Sequence, residues 1–454
     1  MFEKGNYFLS VKKKNLFLEV FLFLVIVIVL ILTFQVQKNK LVATEICNLI
    51  KNNYLDKIDN KKYNQCLNLN SKFQFDDSAK INKFNKWLNH FQISHFYIYN
   101  SKENKKMWQG EGLETGVIAK RIFDKWRVVQ ILTQNNPIKI GDQILAINGR
   151  QVKSAQQILS TEGRFKILRK KQVLKLEVTF SDVIYDDRLI AKKIDSNWSY
   201  LKIPSFKSEF FGYDELARIF EHLNSKSLVI DVRDNLGGNF VAMLRVVSML
   251  ECEDKGVGAI FHNRTDFSGK EFLKDDLSDY EQILQVNGSN PVYLKLFKTE
   301  LCIKPNKLVL LMNEHTASVS ELFVQILKNQ FKDLKVLGTT SAGQMVLSIW
   351  YPIKYLGSGV MMSVPYAWAT ASDKEILEGF GVSPTLDLTF KNLEKYKDSL
   401  DPLLEYVWES EKVKHSLSQD DISKSPASEA FKLETLNSEK NINKNQSLKS
   451  SFGG

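Results

Sequence analysis

Thr316-Ala317-Ser318-Val319-Ser320-Glu321 leads into Glu321 to Lys328 (ELFVQILK), a run with apolar residues at helical spacing. Small residues before a helix make a turn that exposes a hydroxyl. They also leave backbone N–H groups unpaired at the helix N-terminus, where developing negative charge is favoured. Ser318 therefore has the local setting of a nucleophile, with Ser320 as its rival. Leu308 to Met312, just upstream, reads as a short buried strand.

Further upstream, Leu228-Val229-Ile230-Asp231-Val232-Arg233-Asp234-Asn235-Leu236-Gly237-Gly238 is another apolar run, ending in paired glycines. Strands are expected at Ser199 to Ile203, Ser227 to Val232, Lys335 to Leu337 and Gly359 to Val364. Helices are expected at Tyr213 to Leu223 and Phe240 to Leu250. Strands alternating with helices predict an α/β core, a mixed sheet with crossover helices.

A serine nucleophile needs a base. Six histidines are scattered along the chain, and His95 follows an amphipathic helical segment (Ile81, Phe84, Trp87, Leu88, Phe91). A neutral imidazole, with an ordinary pKa of about 6.5, can take the serine proton and return it to a leaving amine. A carboxylate behind it would fix the tautomer. His90 lacks a preceding serine and reads as structural.

These segments together resemble the carboxyl-terminal processing (tail-specific) serine peptidases over roughly Ile46 to Glu409. The resemblance rests on Thr316 to Glu321 (the S/T-A-S-x-S-E pattern) and Asp231 to Gly238 (D-x-R-x-N-x-G-G). It implies Ser318 as nucleophile in preference to Ser320, with an oxyanion hole from the backbone of Gly237, Gly238 and Val319. One position departs. Most of the family carries a lysine base in a G-K-G segment, and Gln344 stands there in this chain. An amide cannot act as that base, so by the lysine branch alone the chain would be a catalytically silent PDZ-type binding or scaffold protein. The tricorn-protease-like branch uses a Ser-His pair and a late glutamate instead. Trp87 to Tyr97, containing Ser94-His95, and Glu378-Gly379-Phe380-Gly381-Val382-Ser383-Pro384 resemble those segments. By that resemblance His95 is the base, Ser94 and Glu378 complete the relay, and Gln344 lines the site.

Residues 110–182 resemble a PDZ domain through Ile140-Gly141-Asp142-Gln143-Ile144-Leu145-Ala146-Ile147-Asn148-Gly149, apolar alternation running into an Asn-Gly turn. A helix at Ser154 to Leu159 and a last strand at Val173 to Phe180 would follow. Such domains bind peptide C-termini by strand addition. The loop taking the carboxylate would be near Gly112 and Leu113.

Leu16 to Val36 is almost wholly apolar, long enough to span a bilayer core as a transmembrane anchor. Lys12, Lys13 and Lys14 precede it, which favours a cytoplasmic N-terminus and an extracytoplasmic remainder. A cleaved signal peptide is the rival, but Leu41-Val42-Ala43-Thr44 makes a poor cleavage site. Residues 44–107 are expected to form a helical cap carrying Ser94 and His95, and residues 190–409 the peptidase core. Polar residues 416–454 are expected to be a disordered tail.

Composition narrows the partners. The chain has 454 residues, 44% hydrophobic and 25% charged, with a net charge of +10. Its lysines form no aromatic-interleaved stripe, so nucleic acid is not an expected partner. No metal or other cofactor is expected, because cysteines and histidines lack ligand spacing. Protein or peptide substrates and the membrane are the expected partners, and oligomeric state is not legible. Cys47, Cys66, Cys252 and Cys302 are the only cysteines. Bridges Cys47–Cys66 and Cys252–Cys302, or four free thiols, both fit an extracytoplasmic chain.

Overall fold

The computed structural model describes residues 4–69, 76–223, 225–262 and 271–413. Its contacts divide the chain into two compact units. The first comprises Met1–Trp108, Phe261–Phe267 and Val346–Trp368. The second comprises Gln109–Ile260, Ser268–Met345 and Ala369–Gly454. The expected tail from Ser416 onward lies outside the described residues.

The first unit is built on a single helix, Lys4–Asn53, which joins the apolar segment to the expected cap without a break. No Gly or Pro interrupts residues 36–46. Asn39, Val42, Ala43, Ile46 and Ile50 are all buried, a helical stripe that rewards continuing the helix. By contrast, the large apolar side chains from Val20 to Leu24 are at least half exposed. Helices Asn60–Asn68 and Asp77–Leu88 follow, capped by the side chains of Asp59 and Asp76. A Cys47–Cys66 disulfide ties the first two helices.

Phe84, Leu88, Phe96 and Ile98 share a core with Val346, Met362 and Val364. Strand Tyr97–Tyr99 pairs antiparallel with Met361–Ala371, which also pairs with Val346–Pro352. Residues 346–368, inside the expected 190–409 span, fall in the first unit by their contacts. Only Gly359 to Val364 of that hairpin was expected as strand; its pairing with Tyr97–Tyr99 spans about 260 residues of sequence, beyond the reach of local pattern.

The second unit contains a six-stranded sheet in the order Leu386–Asp387, Lys335–Gly338, Lys307–Met312, Ser227–Asp231, Trp198–Lys202, Ile190–Lys193. All its pairings are parallel except that of the Ile190–Lys193 edge. Ser227–Asp231 is buried along its whole length, as expected for a central parallel strand. Helices Tyr213–Glu221, Phe240–Glu251 and Val319–Gln330 occur in the crossovers. Helix Pro402–Ser410 places Leu403, Leu404, Val407 and Trp408 in one core with Trp198, Tyr200, Val229 and Val309. A Cys252–Cys302 disulfide lies within this unit, and with Cys47–Cys66 in the first unit no free cysteine is left.

The same unit includes a small β-rich module. Its five-stranded antiparallel sheet runs Val117–Ile122, Lys125–Ile131, Gln143–Ile147, Gly163–Arg169, Gln172–Val178, with helix Ala155–Leu159 packed on the first strand. Val117, Val128, Ile144, Ile158, Phe165 and Ile167 give it a core of its own. Gly112 and Leu113 differ from expectation: they lie in strand Glu111–Glu114, paired with Ser181–Ile184, and not in a loop.

Candidate active site

Strand Lys307–Met312 ends in a tight turn before helix Val319–Gln330, and Ser318 stands at the junction. The turn is fixed from several sides. Thr316 is wholly buried; its hydroxyl donates to the Val232 carbonyl at 2.9 Å and accepts from the Asn313 N–H at 3.0 Å. Ala317 N–H donates to the Asn235 carbonyl at 2.9 Å. Ser318 itself has φ 59° and ψ −131°, a conformation that side chains with a β-carbon avoid. Such strain persists only where surroundings enforce it, and it clusters at functional sites. Ser318 is partly exposed, whereas Ser320 is fully buried with its hydroxyl unpaired among the described residues. Only Ser318 is accessible to a substrate.

Gly237 packs directly on this turn. Its φ is +97°, and a β-carbon built on it would stand 2.7 Å from Ser318 Cβ and 3.0 Å from Val319 N. Any larger residue would displace the serine. The loop is held by Asn235, wholly buried, whose Nδ2 donates to the Ile203 carbonyl at 2.9 Å. Its Oδ1 accepts the Gly237 N–H at 2.8 Å, so that donor is engaged within the loop. No partner within the chain takes the Gly238 or Val319 N–H among the described residues.

Glu321 sits one turn into the helix, fully buried. Its carboxylate accepts four hydrogen bonds: Ser318 N–H at 3.0 Å, Ser341 hydroxyl at 2.6 Å, Gly343 N–H at 2.7 Å and Gln344 N–H at 2.7 Å. It fixes the Ser318 turn to the 341–344 segment. Sequence reading assigned Glu321 no role, although Ser318-x-x-Glu321 is the spacing of a helix-capping pair.

The 341–344 segment is in turn zipped to residues 377–382. Ser341 N–H donates to the Val382 carbonyl at 3.1 Å, Val382 N–H to Ser341 Oγ at 2.6 Å, and Gly379 N–H to the Gly343 carbonyl at 2.8 Å. Gly343, at φ +68°, admits this approach; a β-carbon there would lie 3.0 Å from the backbone nitrogens of Phe380 and Gly381. Gln344, exposed, and Glu378, partly exposed, are therefore carried on adjoining backbone segments. Gly237, Gly238, Ser318, Val319, Gln344 and Glu378 all belong to the second unit.

Ser94 and His95 belong to the first unit, between a single turn at Asn89–Phe91 and strand Tyr97–Tyr99. His95 has φ 56°, a second strained non-glycine residue among those singled out in the sequence. Phe96 anchors it, buried and stacked on Tyr54 with ring centroids 5.2 Å apart. Asn85 clamps the next turn of backbone, exchanging hydrogen bonds with Ile98 N–H and carbonyl at 2.7 and 2.9 Å. His90 is exposed, with Nδ1 3.2 Å from the Trp87 carbonyl.

Charge supports the glycine loop from below. Arg233 makes paired hydrogen bonds to Asp231 (2.9 and 2.6 Å) and to Asp401 (2.7 and 2.7 Å). Tyr200 donates to Asp231 at 2.8 Å. Burial would raise the Asp231 carboxyl, but the Arg233 charge and hydrogen bonds outweigh it and hold the group below its ordinary range. Asp234, the next acid, has φ 64° and pairs at 2.5 Å with Lys120 from the β-rich module. Desolvation opposes its ionisation, yet Lys120 and Asn313 pull it well down.

Residues 197–388 match the family model described as Peptidase family S41. Over those residues the chain is similar to that family of serine peptidases. That match includes Gly237, Gly238, Ser318, Glu321, Gln344 and Glu378. The chain also shares its fold with mature CPAF complexed with lactacystin. There it is 14% identical, covering 84% of this chain and 98% of that one at a TM-score of 0.54. A protein described as an S41 protease from Bacteroides fragilis gives 14% identity, 81% and 97% coverage and a TM-score of 0.51. The tricorn protease aligns more loosely, at 15% identity, 82% and 36% coverage and a TM-score of 0.44. No curated protein matches the chain by sequence.

Proposed function

We propose that the chain is a membrane-anchored serine endopeptidase of the carboxyl-terminal processing type. The observation that carries this reading is the packing of Gly237 on Ser318 at the start of helix Val319–Gln330. Ser318 Oγ attacks the scissile carbonyl carbon while His95 takes its proton. The oxyanion that forms is held by the N–H groups of Gly238 and Val319, with Gly237 supplying the shape of the hole. Each such donor is worth about 10²–10³ in rate. The C–N bond then breaks as His95 returns the proton to the leaving amine. Water, deprotonated by the same imidazole, releases the acyl group from Ser318. Ser94 and Glu378 orient the imidazole, and Gln344 lines the site without acting as a base.

The β-rich module is read as PDZ-like. Strand Val117–Ile122 lies at the sheet edge with helix Ala155–Leu159 beside it, the arrangement in which a peptide end adds as a further strand. Protein or peptide chain ends are the substrates this implies. The exposed apolar side chains between Val20 and Val36 support a single membrane span, with the N-terminus cytoplasmic and the peptidase outside.

Incubating the detergent-solubilised chain with an unstructured protein, and reading fragments by mass spectrometry, tests this function. Fragments that vanish in both Ser318→Ala and His95→Ala are expected. Absence of cleavage by folded wild type would return the chain to a binding role.

A further inference from the structure

A cleft of about 520 Å³ lies in the first unit. One wall is Phe34, Gln37, Lys38 and Leu41; the other is Lys354 and Tyr355, with Gly357 at the end. The four helical positions follow i, i+3, i+4, i+7, a single face of Lys4–Asn53. The opposite wall is held there by Glu45, whose carboxylate accepts the backbone N–H of Lys354 at 3.0 Å and of Tyr355 at 3.2 Å. Their side chains are left exposed, as are Phe34 and Leu41.

Depth along the helix decides what fills this cleft. Phe34 falls in the last turn of the apolar run that ends at Val36. From Phe34 to Leu41 a helix climbs about 10 Å. Each headgroup layer outside the hydrocarbon is on the order of 5–8 Å thick. The cleft therefore begins at hydrocarbon level and opens through the headgroup layer, where tyrosine and lysine are the favoured side chains. Charge points the same way. Lys38 and Lys80 share Asp77 at 3.1 and 2.7 Å. With Lys354 and Glu45 this sets three ammonium groups against two carboxylates, one positive charge in excess.

We propose that this cleft binds one anionic glycerophospholipid of the extracytoplasmic leaflet, with its phosphate at Lys354 and Lys38 and an acyl chain along Phe34 and Leu41. The proposal rests on the membrane-anchor reading above. A lipid held here would fix the height of the first unit over the bilayer.

The test uses the full chain, purified from membranes in dodecyl maltoside and weighed by native mass spectrometry with added phosphatidylglycerol or phosphatidylcholine. One retained phosphatidylglycerol is expected, with phosphatidylcholine bound at least fivefold less. Removing one interfacial lysine weakens such binding about fivefold. Lys354→Ala combined with Tyr355→Ala should lower retention about tenfold and leave the thermal midpoint unchanged. Equal retention by the double variant, or equal binding of the two lipids, would overturn the proposal. Excess glycerol 3-phosphate should leave the lipid in place; displacement by it would mean that Phe34 and Leu41 hold no acyl chain. Carbonate extraction separates the two readings. Release of the chain from membranes would sink the anchor and the lipid site together, whereas a retained chain with unchanged lipid counts would sink the lipid site alone.

Discussion

Gly237 lies so close to Ser318 that a β-carbon on the glycine would stand 2.7 Å from the serine Cβ. The glycine turn and the Ser318 turn are thus one packed unit, and the shape of the proposed oxyanion hole depends on a missing side chain. Gly237→Ala should reduce kcat about 10²-fold or more, the scale of losing an oxyanion donor. Gly256→Ala, where nothing lies within 4 Å of the new carbon, should leave kcat close to wild type. Peptide cleavage assays on the two variants make the comparison, and similar activities would contradict the role given to Gly237.

Glu321 is the buried clamp between the Ser318 turn and the 341–344 segment. A glutamine there keeps the size but replaces one acceptor oxygen by a donor, facing N–H groups that also donate. Glu321→Gln should destabilise the chain by about 2–4 kcal/mol, from lost charge-assisted bonds and donors left unpaired in the interior. Ser318→Ala should abolish cleavage with a stability change below about 1 kcal/mol. Thermal melts alongside activity separate the clamp from the nucleophile.

Asp231 gives the core a pH dependence with a definite sign. Its folded-state carboxyl is held below the ordinary value of about 3.9 by Arg233. A depressed carboxylate contributes stability above its unfolded pKa and loses it as pH falls through the folded one. The melting midpoint, followed through Trp198 and Trp408 in the same core, should therefore drop as pH falls below about 4. Asp231→Asn should flatten that drop and lower the midpoint at pH 7 by several degrees. Arg233 would keep Asp401 but lose a buried partner, costing about 2–3 kcal/mol.

Lys120 joins the β-rich module to Asp234, three residues before Gly237. Both side chains are more than two-fifths exposed, so the pair is worth at most about 1 kcal/mol of stability. Its effect should appear in catalysis instead, through the loop it steadies. Lys120→Ala should lower kcat/KM severalfold with the midpoint unmoved. Lys120→Asp combined with Asp234→Lys should recover part of that loss. Simple additivity of the two single changes would show that the ion pair does not act on the loop.

The sheet was legible where the sequence was locally consistent. Ser227–Asp231 and Lys307–Met312 are short apolar runs next to turn residues, and the helices after them have regular apolar spacing. What escaped was long-range pairing. Nothing near Val346–Pro352 announces that it joins a sheet with Tyr97–Tyr99 through Met361–Ala371. Within the site, Ser318, Gly237 and Gly238 stood out because turn chemistry is local. Glu321 and Asp401 did not, since a carboxylate shows its role only through partners brought from distant segments. The helix Lys4–Asn53 was divided in two because hydropathy changes at Val36 while helix formation does not.

The central claim is that Ser318 is activated by His95 and not by a residue at position 344. Labelling the detergent-solubilised chain with a fluorophosphonate, and following the Ser318 adduct by peptide mass spectrometry, tests it most directly. The account predicts stoichiometric modification of Ser318, slowed at least about 10²-fold by His95→Ala and little changed by Gln344→Ala. Labelling at the wild-type rate in His95→Ala would contradict it.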